Sequence, residues 1–396
     1  MTEHIYDCIV VGGGPAGATA AADLARAGRD VLLLDRMGRI KPCGGAVPPR
    51  LLSDFAVPED LLVARATQAR MIAPSNHAVD MEVGGWVGMV DREVFDEWLR
   101  ARAEALGAER RTGTFTGLER DPDGTAVVVA KGRRCEPDLR LRARAVIGAD
   151  GARSGVARAA IPGSERNPCV FAYHEVIRSP EITSDAYRPE RCDVFYQGRF
   201  SPDFYGWVFP HGPHASIGVG SANKGYELRD AVKRMRDATG LAECETLRCE
   251  GAPIPLKPLP RWDNGRDVVL CGDAAGVVAP ASGEGIYYAM ACARHAAEGV
   301  HLFLSTGDAR ALSRVRKRFL GEHGRVFWIL GMMQRFWYSS DKRRERFVAI
   351  CADKDVQELT WQAYMHKKLV RAKPLAHVRI FLKDMGHLLG LAPVHG

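Results

Sequence analysis

A glycine-rich turn near the start of the chain constrains the fold more than any other segment. An apolar run over residues 6–11 leads into Gly12-Gly13-Gly14-Pro15-Ala16-Gly17, and helix-forming residues and a second apolar run follow it. This order predicts strand, turn, helix and strand, with the carboxylate of Asp35 placed 18 residues after Gly17. Gly12 permits the tight turn, Gly14 lets backbone N–H groups approach a pyrophosphate, and Gly17 lets the helix lie against the strand. A generic βαβ unit does not require an acid at that distance, so the segment is interpreted as a dinucleotide site. Its candidate ligands are Gly12, Gly14, Pro15, Ala16, Gly17, Asp35 and Arg36.

Two later segments repeat the pattern of a strand that ends in an acid and a glycine. Residues 145–149 lead into Asp150-Gly151, and residues 267–271 lead into Gly272-Asp273. If the dinucleotide is FAD, Asp273 is placed to accept hydrogen bonds from the hydroxyls of its ribityl chain. The segment 280–286 then opens a helix whose N–H groups would stabilise negative charge on a reduced flavin. A generic strand-to-helix turn is the alternative. The candidates from these segments are Asp150, Gly151, Gly272, Asp273, Pro280, Gly283, Gly285 and Ile286.

Two shorter features could also meet a flavin. The loop 37–50 is rich in Gly and Pro and contains Cys43-Gly44-Gly45, whose glycines would allow backbone contact with a planar ring. A small buried residue is the alternative role for Cys43. Arg92 opens a helix predicted over residues 94–106, in which Val94, Trp98, Leu99 and Ala105 form an apolar face. Arg92 is interpreted as a phosphate or flavin contact, with a surface ion pair as the alternative.

Size and composition indicate a globular enzyme of two or three modules. The chain has 396 residues, with 46% hydrophobic and 26% charged residues. No apolar run reaches the roughly 18 residues needed to span a bilayer, and no signal peptide precedes the first strand. We therefore expect a cytoplasmic protein. The ten cysteines form no CxxC pair, which argues against a zinc site or a disulfide framework.

The positive charge is concentrated at the end of the chain. From residue 310 onward there are 18 Lys and Arg against 7 Asp and Glu, a net charge of +11 in a chain whose total is +7. Basic and aromatic residues alternate there. One interpretation is a set of solvated helices packed by their aromatic faces. The other is peripheral contact with an anionic membrane. Nucleic acid is not expected, because no recognition motif accompanies the charge.

Strands dominate the middle of the chain. Residues 62–90 contain short alternating runs, residues 110–145 suggest a β-meander, and later strands are predicted at 170–177, 193–197, 205–209 and 215–219. The later strands are too numerous for the nucleotide domain, so a separate sheet is expected to cover the substrate. A helix at 226–238 follows them.

In their order along the chain, the glycine turn, the two acid–glycine turns and the 280–285 helix start resemble flavoproteins of the para-hydroxybenzoate hydroxylase fold. The resemblance implies an α/β protein with a Rossmann-like FAD domain, an inserted antiparallel substrate sheet and a C-terminal helical segment. The expected FAD domain comprises 1–65, 90–165 and 250–310. The expected substrate domain comprises 66–89 and 166–249, and 311–396 form the basic helical region. This fold serves monooxygenases, halogenases and prenyl reductases, so it does not decide the chemistry.

Two motifs favour one branch of that group. Residues 202–210 match the PxxYxWxFP pattern of geranylgeranyl reductases, and Cys43-Gly44-Gly45 match their flavin-side cysteine loop. Halogenases carry Trp where this chain has Tyr205. The wider text over 41–50, 88–98 and 367–391 resembles the geranylgeranyl reductases of bacteriochlorophyll synthesis. Alternation places three aromatic side chains on one face of a strand, a flat apolar wall for an isoprenoid chain. The implied substrate-binding residues are Tyr205, Trp207, Phe209 and Pro210, and the implied catalytic residues are Cys43, Tyr205 and Trp207.

The resemblance implies that NADPH reduces FAD and that three isolated C=C bonds of a geranylgeranyl group are then saturated to give phytyl. The group would be carried on a chlorin pigment or on the free diphosphate. An FAD-dependent monooxygenase of the same fold and a non-catalytic flavoprotein that delivers pigment remain the alternatives.

Overall fold

The computed structural model describes residues 4–36, 40–132 and 137–367. The end of the basic region, including residues 368–391 of the wider resemblance, lies outside the described residues. The strands are β1 (Ile5–Val11), β2 (Val31–Asp35), β3 (Ala46–Val47), β4 (Leu62–Ile72), β5 (Ala78–Val90), β6 (Glu109–Thr112), β7 (Thr114–Arg120), β8 (Ala126–Lys131), β9 (Leu139–Gly148), β10 (Cys169–Arg178), β11 (Arg191–Phe195), β12 (Gly206–His211), β13 (His214–Ser221), β14 (Thr246–Pro255) and β15 (Val268–Leu270). The helices are α1 (Pro15–Arg26), α2 (Pro49–Phe55), α3 (Arg92–Ala105), α4 (Gly155–Ala160), α5 (Leu228–Ala238), α6 (Ile286–Thr306), α7 (Arg310–Trp337), α8 (Asp341–Ile350) and α9 (Lys354–His366).

The chain divides into two compact units, each built from three segments. The nucleotide unit takes its residues from Met1–Lys41, Arg92–Cys169 and Pro253–Phe327. The sheet unit takes its residues from Pro42–Asp91, Val170–Ala252 and Trp328–Gly396. The mixed α/β class agrees with the prediction.

The nucleotide unit is built on a seven-stranded sheet of order β6-β2-β1-β9-β8-β7, with β15 also paired to β9. β1 lies in the middle, parallel to both β2 and β9. It is buried along most of its length, as its continuous apolar run requires. β7, β8 and β9 form the predicted antiparallel meander. α1 packs on α6 and α3, which places the N-terminal turns of α1 and α6 at the ends of buried parallel strands.

The sheet unit is built on an eight-stranded sheet of order β14-β10-β13-β12-β11-β4-β5-β3. α5 covers one face through an apolar cluster that includes Ile177, Val208, Ile217 and Met235. On the opposite face Phe209 packs with Val87, Met89 and side chains of α9. The alternation along β12 therefore sends Val208 to one layer and the aromatic residues to the other.

Several boundaries differ from the sequence prediction. The loop that carries Cys43 belongs to the sheet unit rather than to the FAD domain, because β3 pairs with β5. The region 311–396 is not a separate module among the described residues, since α7 contributes to both units and α8 and α9 pack on β5. In α3 the buried apolar side chains are Phe95, Leu99 and Ala103. Val94 is 54% exposed and Ala105 is also exposed, so the predicted apolar face is wrong at these two positions. The helix expected to open at Pro280 begins at Ile286, and residues 280–285 form its approach.

Candidate functional site

Two glycines of the turn differ in their surroundings: Gly17 is closely packed, whereas Gly14 borders open space. A Cβ on Gly17 would lie 1.7 Å from the carbonyl oxygen of Gly12, so only glycine lets α1 approach β1 this closely. Gly12 has a φ of +108° and packs against the backbone of Ala149 and Asp150. Gly14 has a φ of −75° and caps α1 without any side-chain hydrogen bond, and a Cβ there would meet nothing within 4 Å. The N-terminus of α1 therefore faces open space, as an anion site at a helix N-terminus requires.

Asp35 ends β2 and lies over the same turn. A Cβ on Gly13 would fall 2.5 Å from the carboxylate of Asp35. The guanidinium of Arg100 contacts both Gly13 and Asp35. Arg100 donates to the carbonyl oxygen of Gly13 at 3.2 Å and lies 3.5 Å from the Asp35 carboxylate. Burial raises the pKa of Asp35, while the Gly13 backbone and Arg100 act in the opposite direction. Sequence reasoning missed Arg100 because an arginine on a helix surface carries no local signal. Arg36 follows Asp35 and is exposed.

The side chain of Asp150 stabilises the start of α4. Its carboxylate accepts hydrogen bonds from Ser154 Oγ and from the backbone N–H groups of Gly155, at 2.6 Å, and Val156, at 3.2 Å. These contacts satisfy the start of α4. Burial raises the pKa of Asp150, with the Ser154 hydroxyl acting against that rise. Gly151, with a φ of +86°, has open space where a Cβ would stand. The backbone of this turn, beside Gly12, is therefore better placed for a cofactor than the Asp150 carboxylate.

Asp273 lies near the start of α6. Gly272 has a φ of +60°, and a Cβ there would lie 2.8 Å from Ala16 of the glycine turn. The carboxylate of Asp273 forms an ion pair with Lys41, and a Cβ on Gly285 would lie 3.7 Å from that carboxylate. Gly285 caps α6 without a side-chain hydrogen bond, and Gly283 in the approach has a φ of +66°. The nucleotide unit thus brings the uncapped N-termini of α1 and α6 to one edge of its sheet.

Arg92 forms a buried ion pair with Asp96. The guanidinium donates two hydrogen bonds to the carboxylate, at 2.8 and 2.7 Å, and both side chains are almost fully buried. The alternative interpretation, a surface ion pair, is therefore wrong about the surface, because the ion pair that Arg92 forms is buried. With this geometry Arg92 holds the first turn of α3 in place.

The Cys43 loop lies against β12 in the sheet unit. A Cβ on Gly44 would stand 3.2 Å from the ring of Phe209, and the carbonyl oxygen of Gly44 lies 3.0 Å from Nε2 of His211. Gly45 has a φ of +70°, and its N–H donates to Sγ of Cys43 at 3.4 Å. Burial lowers the pKa of His211 to about 4, although the Gly44 contact raises it. His211 is therefore neutral at pH 7 and donates to Gly44. The sequence offered no signal for His211 beyond its place one residue after the PxxYxWxFP motif.

The predicted aromatic wall is present on one side of β12. The ring centroids of Tyr205 and Trp207 are 6.1 Å apart, and those of Trp207 and Phe209 are 6.2 Å apart. Tyr205 comes just before the strand and stacks on Phe204 at 4.2 Å. Burial raises the pKa of Tyr205 far above its usual range, so its phenol stays protonated. Pro210 is buried at the end of the row.

The aromatic row continues into the C-terminal helices. Tyr196 lies 6.1 Å from Tyr205, and Tyr338 and Phe347 lie 5.3 and 5.0 Å from Tyr196. The hydroxyls of Tyr196 and Tyr338 share a hydrogen bond. The aromatic side chains of this helical region thus extend the wall, which the sequence pattern did not predict.

The nucleotide unit fits a dinucleotide cofactor on its own geometry. Open space at Gly14, two helix N-termini without side-chain caps, and Asp35 at the end of β2 are what a pyrophosphate and a ribose require. No cluster of three or more metal-ligating side chains occurs among the residues that the structure describes.

Comparison with known proteins assigns the family. The sequence model of the pyridine nucleotide-disulphide oxidoreductase family matches residues 6–192. A geranylgeranyl diphosphate reductase from Rhodobacter capsulatus is 56% identical over 389 residues, which cover 98% of each chain. The chain belongs to the geranylgeranyl diphosphate reductase family. The resemblance inferred from the PxxYxWxFP pattern and the Cys43 loop is therefore confirmed.

Solved structures agree on the fold. A geranylgeranyl bacteriochlorophyll reductase-like protein from Thermoplasma acidophilum superposes with a TM-score of 0.80 at 23% identity, over 94% of this chain and 99% of that one. The flavin-dependent brominase Bmp2 superposes with a TM-score of 0.73 at 15% identity, over 96% and 100%. At these identities the likeness establishes the fold alone, and it confirms the predicted fold class. The family match supports FAD as the cofactor.

Proposed function

We propose that this chain reduces the isolated C=C bonds of a geranylgeranyl group to give phytyl, with FAD as its bound cofactor and NADPH as the reductant. The observation that supports this most is the row of Tyr205, Trp207 and Phe209 next to the Cys43 loop. A mostly buried aromatic surface of this kind suits an apolar polyene better than it suits a polar substrate. The reduced cofactor would supply hydride to one carbon of each alkene.

The side chains of this wall would align the alkene and exclude water. An isolated trisubstituted alkene has no carbonyl to polarise it, so positive character that develops on carbon must be stabilised by the surroundings. The faces of Tyr205 and Trp207 offer negative π-density for that purpose. Three successive reductions further require that the chain slides or rebinds along the wall.

The second hydrogen must arrive as a proton, and the candidates for its source are Tyr205, Cys43 and an ordered water. Tyr205 keeps its phenolic proton because burial raises its pKa. Cys43 offers a thiol whose sulfur accepts from the Gly45 N–H. Tyr205→Phe and Cys43→Ala variants separate these roles, because only loss of the true donor should lower turnover while FAD content stays at the wild-type level.

Each unit carries residues that are predicted to contact FAD. In the nucleotide unit these are the turn 12–17, Asp35, the Asp150-Gly151 backbone, and the edge formed by Asp273 and Gly285. The Lys41–Asp273 ion pair implies that ribityl hydroxyls would share the Asp273 carboxylate with an ammonium group. In the sheet unit they are Cys43, Gly44 and Gly45.

The decisive experiment is anaerobic turnover with FAD and NADPH, followed by mass spectrometry of the prenyl product. A gain of six hydrogens on the esterifying alcohol is expected, either on geranylgeranyl diphosphate or on a geranylgeranyl chlorin, and running both substrates identifies the preferred one. A product that gains oxygen, or activity that requires oxygen, would contradict the proposal. Parallel reactions with NADH test the choice of nicotinamide.

We also propose that the C-terminal helices contact an anionic membrane surface. None of the helices in the described part of the chain is both long and apolar enough to cross a bilayer. On α7, however, Trp328 is 68% exposed and Met332 is 50% exposed, with exposed Arg335 one turn further. The guanidinium of Arg343 lies 4.3 Å over the ring of Phe336. Exposed apolar side chains flanked by arginines suit the interface of an anionic bilayer.

Co-sedimentation with vesicles of anionic and of neutral lipid tests the membrane contact. The double variant Trp328→Glu and Met332→Glu should lose binding to anionic vesicles while keeping its FAD content. Ile182→Glu is the matched control, because Ile182 is 79% exposed on the same unit but has no place on α7. Equal sedimentation of all three proteins would contradict the proposal.

A further inference from the structure

A buried row of polar side chains runs across the sheet unit and ends at Trp207. The indole Nε1–H of Trp207 donates to Ser216 Oγ at 3.1 Å. Ser216 Oγ lies 2.9 Å from Nδ1 of His174, and Nε2 of His174 lies 3.2 Å from the carboxylate of Glu250. Trp207, Ser216 and His174 are each less than 7% exposed. The row therefore links the aromatic wall to an acid on a distant strand.

The sheet register builds this row. Gly218 on β13 pairs with Trp207 on β12 and with His174 on β10, so the three residues stand side by side on one face. A Cβ on Gly218 would lie 2.4 Å from the indole and 2.5 Å from His174. The missing side chain thus lets the indole lie across β13 towards His174. Ser216 is two residues from Gly218 and points to the same face.

The donors and acceptors of the row are consistent with one direction of hydrogen bonding. Trp207 can only donate, so Ser216 accepts from it and donates its own hydroxyl hydrogen bond to Nδ1 of His174. The Nε2–H of His174 then donates to Glu250. Burial raises the pKa of Glu250, but His174 and Arg248 outweigh it and hold that pKa below its usual range. Glu250 is therefore a carboxylate, as the end of such a chain requires.

We propose that Ser216 and His174 are positioning residues that fix the indole plane of Trp207 and so set how the prenyl chain lies on the wall. This inference rests on the proposed function. None of the hydrogen-bonded atoms needs to touch the substrate, because they act through the indole. A rotated indole would misalign successive double bonds, and partly reduced products would accumulate.

The test is a double-mutant cycle with Trp207→Phe, which keeps an aromatic face and removes the indole N–H. Ser216→Ala and His174→Asn are each made in the wild-type and in the Trp207→Phe background. In the wild-type background we expect kcat/KM for the last reduction to fall about threefold to tenfold, the loss of one buried hydrogen bond. In the Trp207→Phe background the same substitutions should add nothing. Ser179→Ala is the control, since it removes a serine hydroxyl bonded to Tyr187 in the same unit.

A second readout does not depend on turnover. Specific 15N labelling of tryptophan gives one indole N–H resonance for each Trp, and Trp207→Phe identifies the one that belongs to Trp207. Ser216→Ala and His174→Asn should shift this resonance and speed its hydrogen exchange, whereas Ser179→Ala should not. An unshifted resonance, or an equal loss of activity in both backgrounds, overturns the proposal.

The two readouts also separate this inference from the proposed function. If Trp207→Ala, which removes the aromatic face, leaves the products unchanged, the wall itself is refuted and the positioning role of the row is refuted with it. If Trp207→Phe changes the products but the cycle shows no coupling, the wall stands and only the positioning role is refuted.

Discussion

Replacing Gly14 by alanine should weaken FAD binding without disturbing the fold. The backbone there has a φ of −75°, which any residue adopts, and the added Cβ would meet nothing within 4 Å. Alanine is a poorer N-cap than glycine, but it also has less freedom to lose on folding, so the free energy of unfolding should change by less than about 1 kcal/mol. The methyl group would instead fill the space that a pyrophosphate needs. Overlap of this kind costs about 1–3 kcal/mol, which weakens binding roughly 5- to 150-fold.

Gly17→Ala provides the contrast. Its Cβ would stand 1.7 Å from the Gly12 carbonyl oxygen, so α1 would have to retreat from β1 by more than about 1 Å. Alanine gains about 1 kcal/mol in helix propensity, but overpacking against rigid backbone should outweigh this and destabilise the apo protein by roughly 2 kcal/mol. Both stability and FAD binding should therefore suffer.

Fluorescence titration of each apo protein with FAD, together with urea unfolding of the same samples, distinguishes the two variants. Gly321→Ala is the matched control, because it adds a methyl group to a helix in open space and should leave FAD affinity unchanged. Wild-type FAD affinity in Gly14→Ala would refute the assignment of this space to the cofactor. Unfolding of Gly14→Ala at the same urea concentration as Gly17→Ala would refute the packing argument.

Three further predictions concern the interior of each unit. The pKa of His211 is lowered to about 4, so the unfolded chain takes up a proton near pH 6.5 before the folded chain does, and stability is lost as pH falls from about 6.5 to 4. His211→Gln should reduce this loss of unfolding free energy between pH 6.5 and 4 by roughly 2–3 kcal/mol, as measured by urea unfolding at each pH. An unchanged pH dependence of the unfolding free energy would contradict the assignment. Arg92→Met should destabilise the apo protein by about 3–5 kcal/mol because it leaves Asp96 buried and unpaired, and adding Asp96→Leu should recover most of that loss in the same assay. If Arg92→Met instead keeps its stability and loses only FAD, a direct cofactor contact is the better account. Gly45→Ala would place a Cβ 2.5 Å from the His211 ring at a φ of +70°, so it should displace the loop and speed alkylation of Cys43, as followed by peptide mass spectrometry; an unchanged rate would argue against that packing.

Local backbone conformation could be predicted from the sequence because it depends on neighbouring residues. The glycine turn at 12–17 needs close approach and a positive φ within a few residues, and the acid of Asp35 follows at a fixed distance along the same βαβ unit. Alternation along β12 likewise depends only on the period of a strand. For the same reason the PxxYxWxFP pattern pointed to the family before any contact was known.

Contacts between residues far apart in the chain could not be predicted from the sequence. Arg100 meets the carbonyl of Gly13 across 87 positions, and His211 meets Gly44 across 167. The Cys43 loop was assigned to the wrong unit because its partner strand, β5, lies some forty residues away. The C-terminal helices were read as a separate basic region because their charges stand out in the sequence, while the aromatic packing of Tyr338 and Phe347 depends on Tyr196.

The sequence by itself determined that a dinucleotide fold begins the chain, that an aromatic strand follows, and which family carries both. Only the tertiary structure decided what supports that strand. Sheet register brings Trp207, Gly218 and His174 side by side, and Glu250 completes the row from another strand. Register is a property of paired strands rather than of any one strand, so residues from four strands acquire a common task only when the sheet has formed.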